Sequence, residues 1–432
     1  MLQPSLLIAE GDKQNIRNYP MSKKLKIGLF GFGVVGQGLY DITVSRHLNL
    51  EIKKIAIKDA SKKRSLPSEL FTTDRWEILN DPEINTVIEL INDAEAAYEI
   101  VSYALKNGKN VVSANKKMIA LHLEELVQLQ RKHDTALLYE GAVCGSIPII
   151  RNLEEYYDNE LLYAVSGIFN GSSNYILSKV FNENQTYGDA LRKAQELGFA
   201  ETDPTLDVGG YDAKFKVCIA AAHAYGLFIN PDDVLNIGIQ NLHLSDMKYV
   251  SEKGQKLKLV PVAKKRNDNE VSIYVLPKLV ERDDFLYNVE NEYNGVSVQA
   301  AFADQQFFFG KGAGGHPTGA AVFSDISALR YDYRYEYKKT LVEEKVDFNN
   351  EEVIQVYLRF NQQRLLQELP FISIDETFSC KQYHYVVGSV RLADIFNAKD
   401  AILADGAFIA DTGKYVAHTE TLAEEAVCCN ID

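Results

Sequence analysis

The sequence predicts an α/β fold: a parallel sheet layered with helices, then an α+β unit, then a small C-terminal α+β region. Three observations predict it. From Leu25 to Tyr139 short apolar runs alternate with helix-length segments, a glycine cluster follows the first run, and after Tyr139 the rhythm turns to helices and then to long alternating strands.

Leu25–Phe30 is apolar and stops in Gly31-Phe-Gly-Val-Val-Gly36-Gln-Gly38, which continues as an apolar-periodic segment to about Val44. This reads as strand, tight turn and helix. Ile52–Ile57 and Val87–Leu90 follow as strands, then helix Ala94–Asn107, strand Val111–Val112, helix Ile119–His133 and strand Ala136–Tyr139. Such alternation implies a parallel sheet covered on both faces. Gly-Ala-Val-Cys-Gly-Ser-Ile-Pro after Glu140 is a loop, helices predominate to about Leu227, and Pro231-Asp-Asp233 reads as a further helix start. Leu257–Ala263, Val271–Val280, Val296–Phe302 and Gln306–Phe309 read as strands of a sheet covering those helices. Pro317–Leu329 is a small-residue helix expected to pack back onto the first domain, Tyr331–Lys345 a charged, tyrosine-rich linker, and Val353–Phe360 the first strand of the C-terminal region. The expected organisation is a tail (1–20), a first domain (21–143, with 316–342 packing back), a second domain (144–315) and a C-terminal region (346–432).

The chain has 432 residues, long enough for two or three domains, and its 46% hydrophobic and 25% charged content is ordinary for a soluble protein. Sixty acidic against 46 basic residues give a net charge of -14, which argues against nucleic acid or an anionic membrane as partner. Neither a membrane-length apolar run nor a signal-peptide pattern occurs. Cys144, Cys218, Cys380, Cys428 and Cys429 lack metal spacing, so free thiols in a reducing, cytoplasmic compartment are expected.

Gly31, Gly33 and Gly36, with Phe32, Val34 and Val35 between them, match Gly-x-Gly-x-x-Gly between a first strand and a first helix. In that context the glycines allow a tight turn and close approach of a pyrophosphate to backbone N–H groups at a helix N-terminus, so a Rossmann-type dinucleotide domain is expected. The second strand ends at Lys58-Asp59. Asp59 suits the ribose hydroxyl of NAD, whereas Lys58, Lys62, Lys63 and Arg64 suit the extra phosphate of NADP; NADP is the expectation, with NAD possible.

The densest chemistry lies in Ala200–Lys216. Glu201, Asp203 and Asp207 occupy a Pro/Gly-broken loop, and Asp212 and Lys216 stand four apart on the helix that follows, so both heads share one face. Such a pair is either a surface ion pair or a held lysine able to protonate a reacting oxygen. Lys116 follows a strand at the sheet edge, facing a cleft or solvent. Asn170, Ser172, Ser173 and Asn174 cap a helix or offer donors to a carboxylate or a nicotinamide amide. Cys144 raises a thiol-nucleophile alternative that needs an activating histidine or helix N-terminus, and His316 lies in a glycine loop.

Together, Gly31–Gly38, Ser113-Ala-Asn-Lys116, Glu140–Pro148, Asn170–Leu177, Ala200–Lys216 and Gly310–Thr318 resemble the homoserine dehydrogenase family in order and spacing, over about residues 24–330. The resemblance implies NAD(P)H-dependent, reversible reduction of L-aspartate 4-semialdehyde to L-homoserine, on the route to threonine, isoleucine and methionine. It implies Lys216 as proton donor, Asp212 as its partner, Lys116 facing substrate and nicotinamide, Glu201 and Asp207 binding the amino acid, and Gly315 near the cofactor. It also implies a sodium ion at Glu140, Val143, Gly145 and Ile147, oxygen-only coordination suiting a hard ion. A homodimer or homotetramer is expected, paired through the second domain. Two stretches depart from the family: Asn92-Asp93 replace a Gly-Gly pair, and Asn361-Gln-Gln-Arg-Leu-Leu replaces the Asp-x-Pro-Gly turn of an ACT module, so the C-terminal region is expected to be a degenerate ACT-like unit with little threonine inhibition. The alternatives are a non-catalytic dinucleotide sensor and an aldehyde dehydrogenase working through Cys144.

Overall fold

A computed structural model describes residues 23–45, 50–159, 161–342, 345–414 and Val416. The expected tail (1–20), Cys428 and Cys429 lie outside the described residues.

The first domain runs β1 (Leu25–Phe30), α1 (Val34–Ser45), β2 (Leu50–Ala56), β3 (Phe71–Thr72), α2 (Trp76–Leu79), β4 (Thr86–Glu89), α3 (Ala94–Lys106), β5 (Asn110–Ser113), α4 (Lys116–His133) and β6 (Leu137–Leu138). All six strands are parallel, in the order β3-β2-β1-β4-β5-β6. β4 is buried along its whole length because helices cover both faces of the sheet. The order reverses between β1 and β4, which opens a crevice beyond their carboxyl ends. Gly31 turns the chain there at φ +92°, and a Cβ on it would lie 2.6 Å from the Leu90 carbonyl oxygen, so only glycine fits.

The second domain contains α5 (Ile149–Glu155), β7 (Leu162–Ile168), α6 (Gly171–Glu183), α7 (Tyr187–Glu196), α8 (Thr205–Val208), α9 (Tyr211–Tyr225), β8 (Leu235–Asn236), α10 (Leu244–Glu252), β9 (Lys256–Asn267), β10 (Glu270–Val280), β11 (Tyr293–Ala300) and β12 (Asp304–Lys311), after which α11 (Gly315–Leu329) returns to the first domain. Pro231–Asp233 forms a single 3-10 turn, not the expected helix, because the β-branched Val234 continues extended into β8. From Asp212 to Tyr225 every residue of α9 is buried, since the helix lies between the first domain and the sheet. α11 returns to α1 at backbone distance: a Cβ on Gly38 would fall 2.3 Å from the Gly315 backbone. Small residues at both faces permit that approach.

Residues 331–340 are not a free linker. Tyr335 and Tyr337 are fully buried, and Lys339 Nζ donates to the carbonyls of Leu153 (2.7 Å) and His223 (2.8 Å). The tyrosine rings bury apolar area, so this charged linker packs down, within the stretch (316–342) expected to pack back.

The C-terminal region comprises β13 (Asp347–Phe348), β14 (Val353–Phe360), α12 (Leu365–Glu368), β15 (Ser373–Ser379), β16 (His384–Arg391), α13 (Leu392–Ala404) and β17 (Phe408–Asp411). From β14 onward this is a complete βαββαβ unit with strand order β17-β14-β16-β15, although the sequence showed only its first strand. Its first helix is one turn long. Nor is it separate: β17 pairs with β10 at Lys278 and Asp411, which merges both sheets into one of eleven strands.

Candidate active site

Two helix starts build the site. Asn115 caps α4 by accepting the Met118 N–H (3.0 Å), which fixes Lys116 in the first turn just beyond β5. Gly210, at φ +80°, launches α9, with Asp212 in its first turn and Lys216 one turn on. α4 packs against α9, and the two starts converge. Asp212 Oδ1 meets Lys116 Nζ at 2.6 Å and Oδ2 meets Lys216 Nζ at 2.8 Å. Lys216 Nζ also donates to the Phe169 carbonyl (2.6 Å). The Asn170 Nδ2 donates to Asp207 (2.7 Å) and Asp212 (2.9 Å), while its Oδ1 accepts the Ser173 N–H and caps α6. One amide thus performs the expected capping and also holds two of the protein's own carboxylates.

Burial opposes the charge on Asp212, yet the ammonium groups of Lys116 and Lys216 hold its carboxyl well below the usual range. Asp212 in turn raises Lys116. Asp207 shifts the other way: burial, and then the charge of Asp212, push it up. The cluster therefore keeps one firmly ionised carboxylate between two cations, with a second acid beside it that is easier to protonate.

A cavity of about 290 Å³ opens on this cluster. Lys116, Glu201, Asp207 and Asp212 line it, with Phe215 and Asn92. The volume suits a small polar molecule. Lys216 is not among the lining residues; it is buried behind Asp212, whereas the side chain of Lys116 is 44% exposed. Asp203 also lines the cavity, its carboxylate tied to Thr205 by its own turn.

Sequence reasoning missed the Phe169 carbonyl, which no side-chain pattern can signal, and the buried Glu89, which bonds to the cavity residue Ile91. Glu89 is wholly buried at the end of β4, accepts from Ser113 Oγ (2.5 Å) and the Ile91 N–H (2.7 Å), and is pushed up to about 7 by burial. A charged residue closing an apolar strand was the available signal.

At the nucleotide end, Gly33 faces open space, with nothing within 4 Å of a Cβ built on it, and Phe32 packs edge-on against Tyr40 and Phe71. Val34 is exposed at the α1 start, Val35 and Gly36 follow it, and a Cβ on Gly315 would lie 2.8 Å from the Val34 carbonyl oxygen. Open backbone N–H groups at a helix start fit a pyrophosphate. Lys58 is exposed beyond β2. Asp59 is committed to Ser61 through its N–H (2.8 Å) and hydroxyl (2.6 Å), which lowers its pKa, and Lys62, Lys63 and Arg64 line a 600 Å³ groove beside it.

The loop after β6 runs beside the cluster: a Cβ on Gly141 would lie 3.6 Å from that of Ala114, which lines the cavity. Both Glu140 carboxylate oxygens accept helix N–H groups, from Ile150 (2.8 Å) and Arg151 (2.9 Å), and burial pushes the acid up to about 8. Val143 and Ile147 are buried, and Gly145 is left-handed against the Lys311 and Gly312 carbonyls. Among the described residues no group of three His, Cys, Asp or Glu side chains could hold a metal, so a cation here would rest chiefly on carbonyls. Cys144 is fully buried and its thiol is pushed up to about 12, which removes the thiol-nucleophile alternative. His316 is exposed, 3.5 Å from Asp41.

Comparison with known proteins decides the family. Residues 31–140 match the model of the homoserine dehydrogenase NAD-binding domain, and 148–327 match that of homoserine dehydrogenase itself. The Bacillus subtilis homoserine dehydrogenase is 35% identical over 322 residues, 72% of this chain and 74% of that protein. The chain belongs to the homoserine dehydrogenase family. The Helicobacter pylori member is 36% identical over 314 residues, covering 71% of this chain and 74% of its own. Among solved structures, the homoserine dehydrogenase from Thiobacillus denitrificans superposes with TM-score 0.77 at 28% identity, covering 90% of this chain and 99% of its own. A hyperthermophilic archaeal homoserine dehydrogenase mutant in complex with NADPH aligns with TM-score 0.63 at 26% identity, over 73% of this chain and 100% of its own. This member of the homoserine dehydrogenase family is accordingly an oxidoreductase with a dinucleotide-binding domain, acting in amino-acid biosynthesis through the aspartate pathway. Among the described residues no helix is long and apolar enough to cross a membrane.

Proposed function

We propose that this oxidoreductase reduces L-aspartate 4-semialdehyde to L-homoserine at the Lys116–Asp212–Lys216 cluster. The observation that carries the reading is a single carboxylate, Asp212, holding two ammonium groups beside a small cavity walled by further acids. When bound, the reduced nicotinamide supplies the hydride. Negative charge then grows on the former carbonyl oxygen, and an ammonium group fixed nearby stabilises and protonates it. Lys216 is assigned as donor, with Asp212 and the Phe169 carbonyl holding its head in place. Glu201 and Asp207 are assigned to the polar ends of the amino acid; both line the cavity.

One observation favours a second reading of the roles. Lys116 opens to the cavity while Lys216 is buried behind Asp212. In that reading Lys116 protonates the oxygen and Lys216 fixes Asp212. Following nicotinamide absorbance at about 340 nm with the semialdehyde separates the two: the donor's replacement by methionine lowers kcat by about 10²–10⁴, the other mainly raises KM. Absence of turnover in the unmodified enzyme would refute both.

NADP is the proposed coenzyme, supported by Asp59 being tied to Ser61 beside three cations. A sodium ion is proposed at the Glu140–Ile147 loop, on the carbonyls of Val143, Gly145 and Ile147, since the Glu140 carboxylate caps α5. A stability gain in sodium over tetramethylammonium chloride at equal ionic strength checks it. A homodimer or homotetramer is supported by exposed Phe309 on β12, which ends the sheet among the described residues, and light scattering measures it. A cytoplasmic location accords with free Cys144, Cys218 and Cys380.

A further inference from the structure

We propose that Lys399, on α13 of the C-terminal unit, is a positioning residue for the active site. Its Nζ donates to Asn236 Oδ1 (3.0 Å), and Asn236 Nδ2 donates to the Gly209 carbonyl (2.8 Å). Gly209 and Gly210 form the turn from which α9 starts, between the cavity acids Asp207 and Asp212. The same ammonium group lies over the ring of Tyr211, 5.4 Å from its centroid, as does that of the buried Lys214 at 5.2 Å.

The contact is continuous. Asn236 is buried, Ile239 N–H donates to the Val208 carbonyl (2.7 Å), and a Cβ on Gly238 would lie 1.8 Å from that oxygen. Residues 236–239 are thus pressed against 208–210. On their other side Asn241 Nδ2 donates to the Ala407 carbonyl (3.0 Å), and Arg359 holds both the Asn241 carbonyl (2.8 Å) and Asp246 (2.8 Å). The C-terminal unit therefore grips one face of this segment while the active-site turn rests on the other. A charged donor on the Asn236 amide strengthens the bond the amide makes to Gly209. Without it, the turn carrying Asp207 and Asp212 loses a fixed support, and small misplacements of binding groups lower affinity and rate.

The inference rests on the functional reading above, so its test has an arm independent of turnover. In the full chain, Lys399→Met is expected to raise the KM for the semialdehyde roughly 3- to 10-fold and leave that for NADPH unchanged. Lys399→Arg keeps the charge and restores the value. Asn236→Asp, which keeps the Lys399 contact but removes the donor to Gly209, reproduces the defect and serves where Lys399→Met does not fold. Hydrogen exchange at residues 205–212 is expected to speed up in Lys399→Met and Asn236→Asp. A wild-type KM in both variants, or unchanged exchange across 205–212, overturns the inference. Lack of turnover in the unmodified enzyme refutes the functional reading instead and leaves the exchange result to decide this one.

Discussion

The two ends of α9 hold buried charge in opposite ways. At its start Asp212 sits between two ammonium groups beside a cavity. At its end the His223 Nδ1 pairs with Glu154 (2.8 Å), its Nε2 with the Tyr139 hydroxyl (2.7 Å), and that hydroxyl with Tyr337 (2.8 Å), among the rings of Tyr139, Tyr335 and Tyr337. The first network opens to a ligand and the second is sealed. Asp212 and Lys216 are as buried as Glu154 and His223, so burial of the acid and its partner does not tell the two ends apart. What distinguishes the open end is one carboxylate shared by two ammonium groups, one of them at a cavity wall where a ligand oxygen can reach it. The sealed end closes a joint: Gln130 of α4 donates to the Tyr335 carbonyl (2.9 Å), and the Tyr337 N–H donates to Glu154 (2.6 Å).

Breaking the open end gives the largest effect. Lys216→Met is expected to reduce kcat by about 10²–10⁴ with little change in thermal stability, measured by nicotinamide absorbance and calorimetry. Asp212→Asn leaves two neighbouring cations without their carboxylate; a comparable fall in kcat, with a higher KM for the semialdehyde, is expected. A loss of stability in place of activity would make the two ends alike.

Breaking the sealed end should do the reverse. Tyr337→Ala removes a fully buried ring and a hydroxyl partner of Tyr139, and urea unfolding should show a loss of about 3–5 kcal/mol. The fraction that stays folded should turn over within a few-fold of the unmodified enzyme. A kcat collapse at full stability would place the joint within the chemistry.

The contrast explains what could be read from the chain. Asp212 and Lys216 were legible because helical spacing fixes them on one face, and Gly31, Gly33 and Gly36 because their context was a strand and a helix. Lys116 could be placed at a strand end but not paired, since its partner lies on α9, which reaches it only through packing. The joint was read as a linker because tyrosines beside lysines look solvated until rings from three elements enclose them. In the C-terminal unit the one-turn α12 and the short β17 carry little periodic signal, and β17 owes its place to pairing with β10 and β14. The Phe169 carbonyl has no sequence signature at all.

Exposed charge provides a milder comparison. Lys62 and Lys63 lie on the groove beside Asp59 and are open to solvent, so replacing both by serine should leave stability unaltered. The KM for NADPH should rise about tenfold, the loss of a charged hydrogen bond to a phosphate, while that for NADH stays level. Equal values for both coenzymes before and after the change would assign the choice to Asp59.

Glu89 supplies the smallest and most diagnostic effect, because its buried carboxylate accepts hydrogen bonds from Ser113 and Ile91 and has no salt bridge among the described residues. Where cations hold Asp212 low, burial alone raises Glu89 to about 7. Between the ordinary carboxylate range and pH 7 the folded protein therefore binds more protons here than the unfolded chain. The associated stability is complete below about pH 4.5 and is lost as pH rises through 7. Glu89→Gln removes that dependence while keeping an oxygen for the Ile91 N–H. The unmodified enzyme's melting temperature should fall between pH 5 and 8 by about 2–4 °C more than the variant's. Parallel curves would mean that Glu89 is ionised throughout, as Asp212 is, and that a cation not yet identified reaches the end of β4.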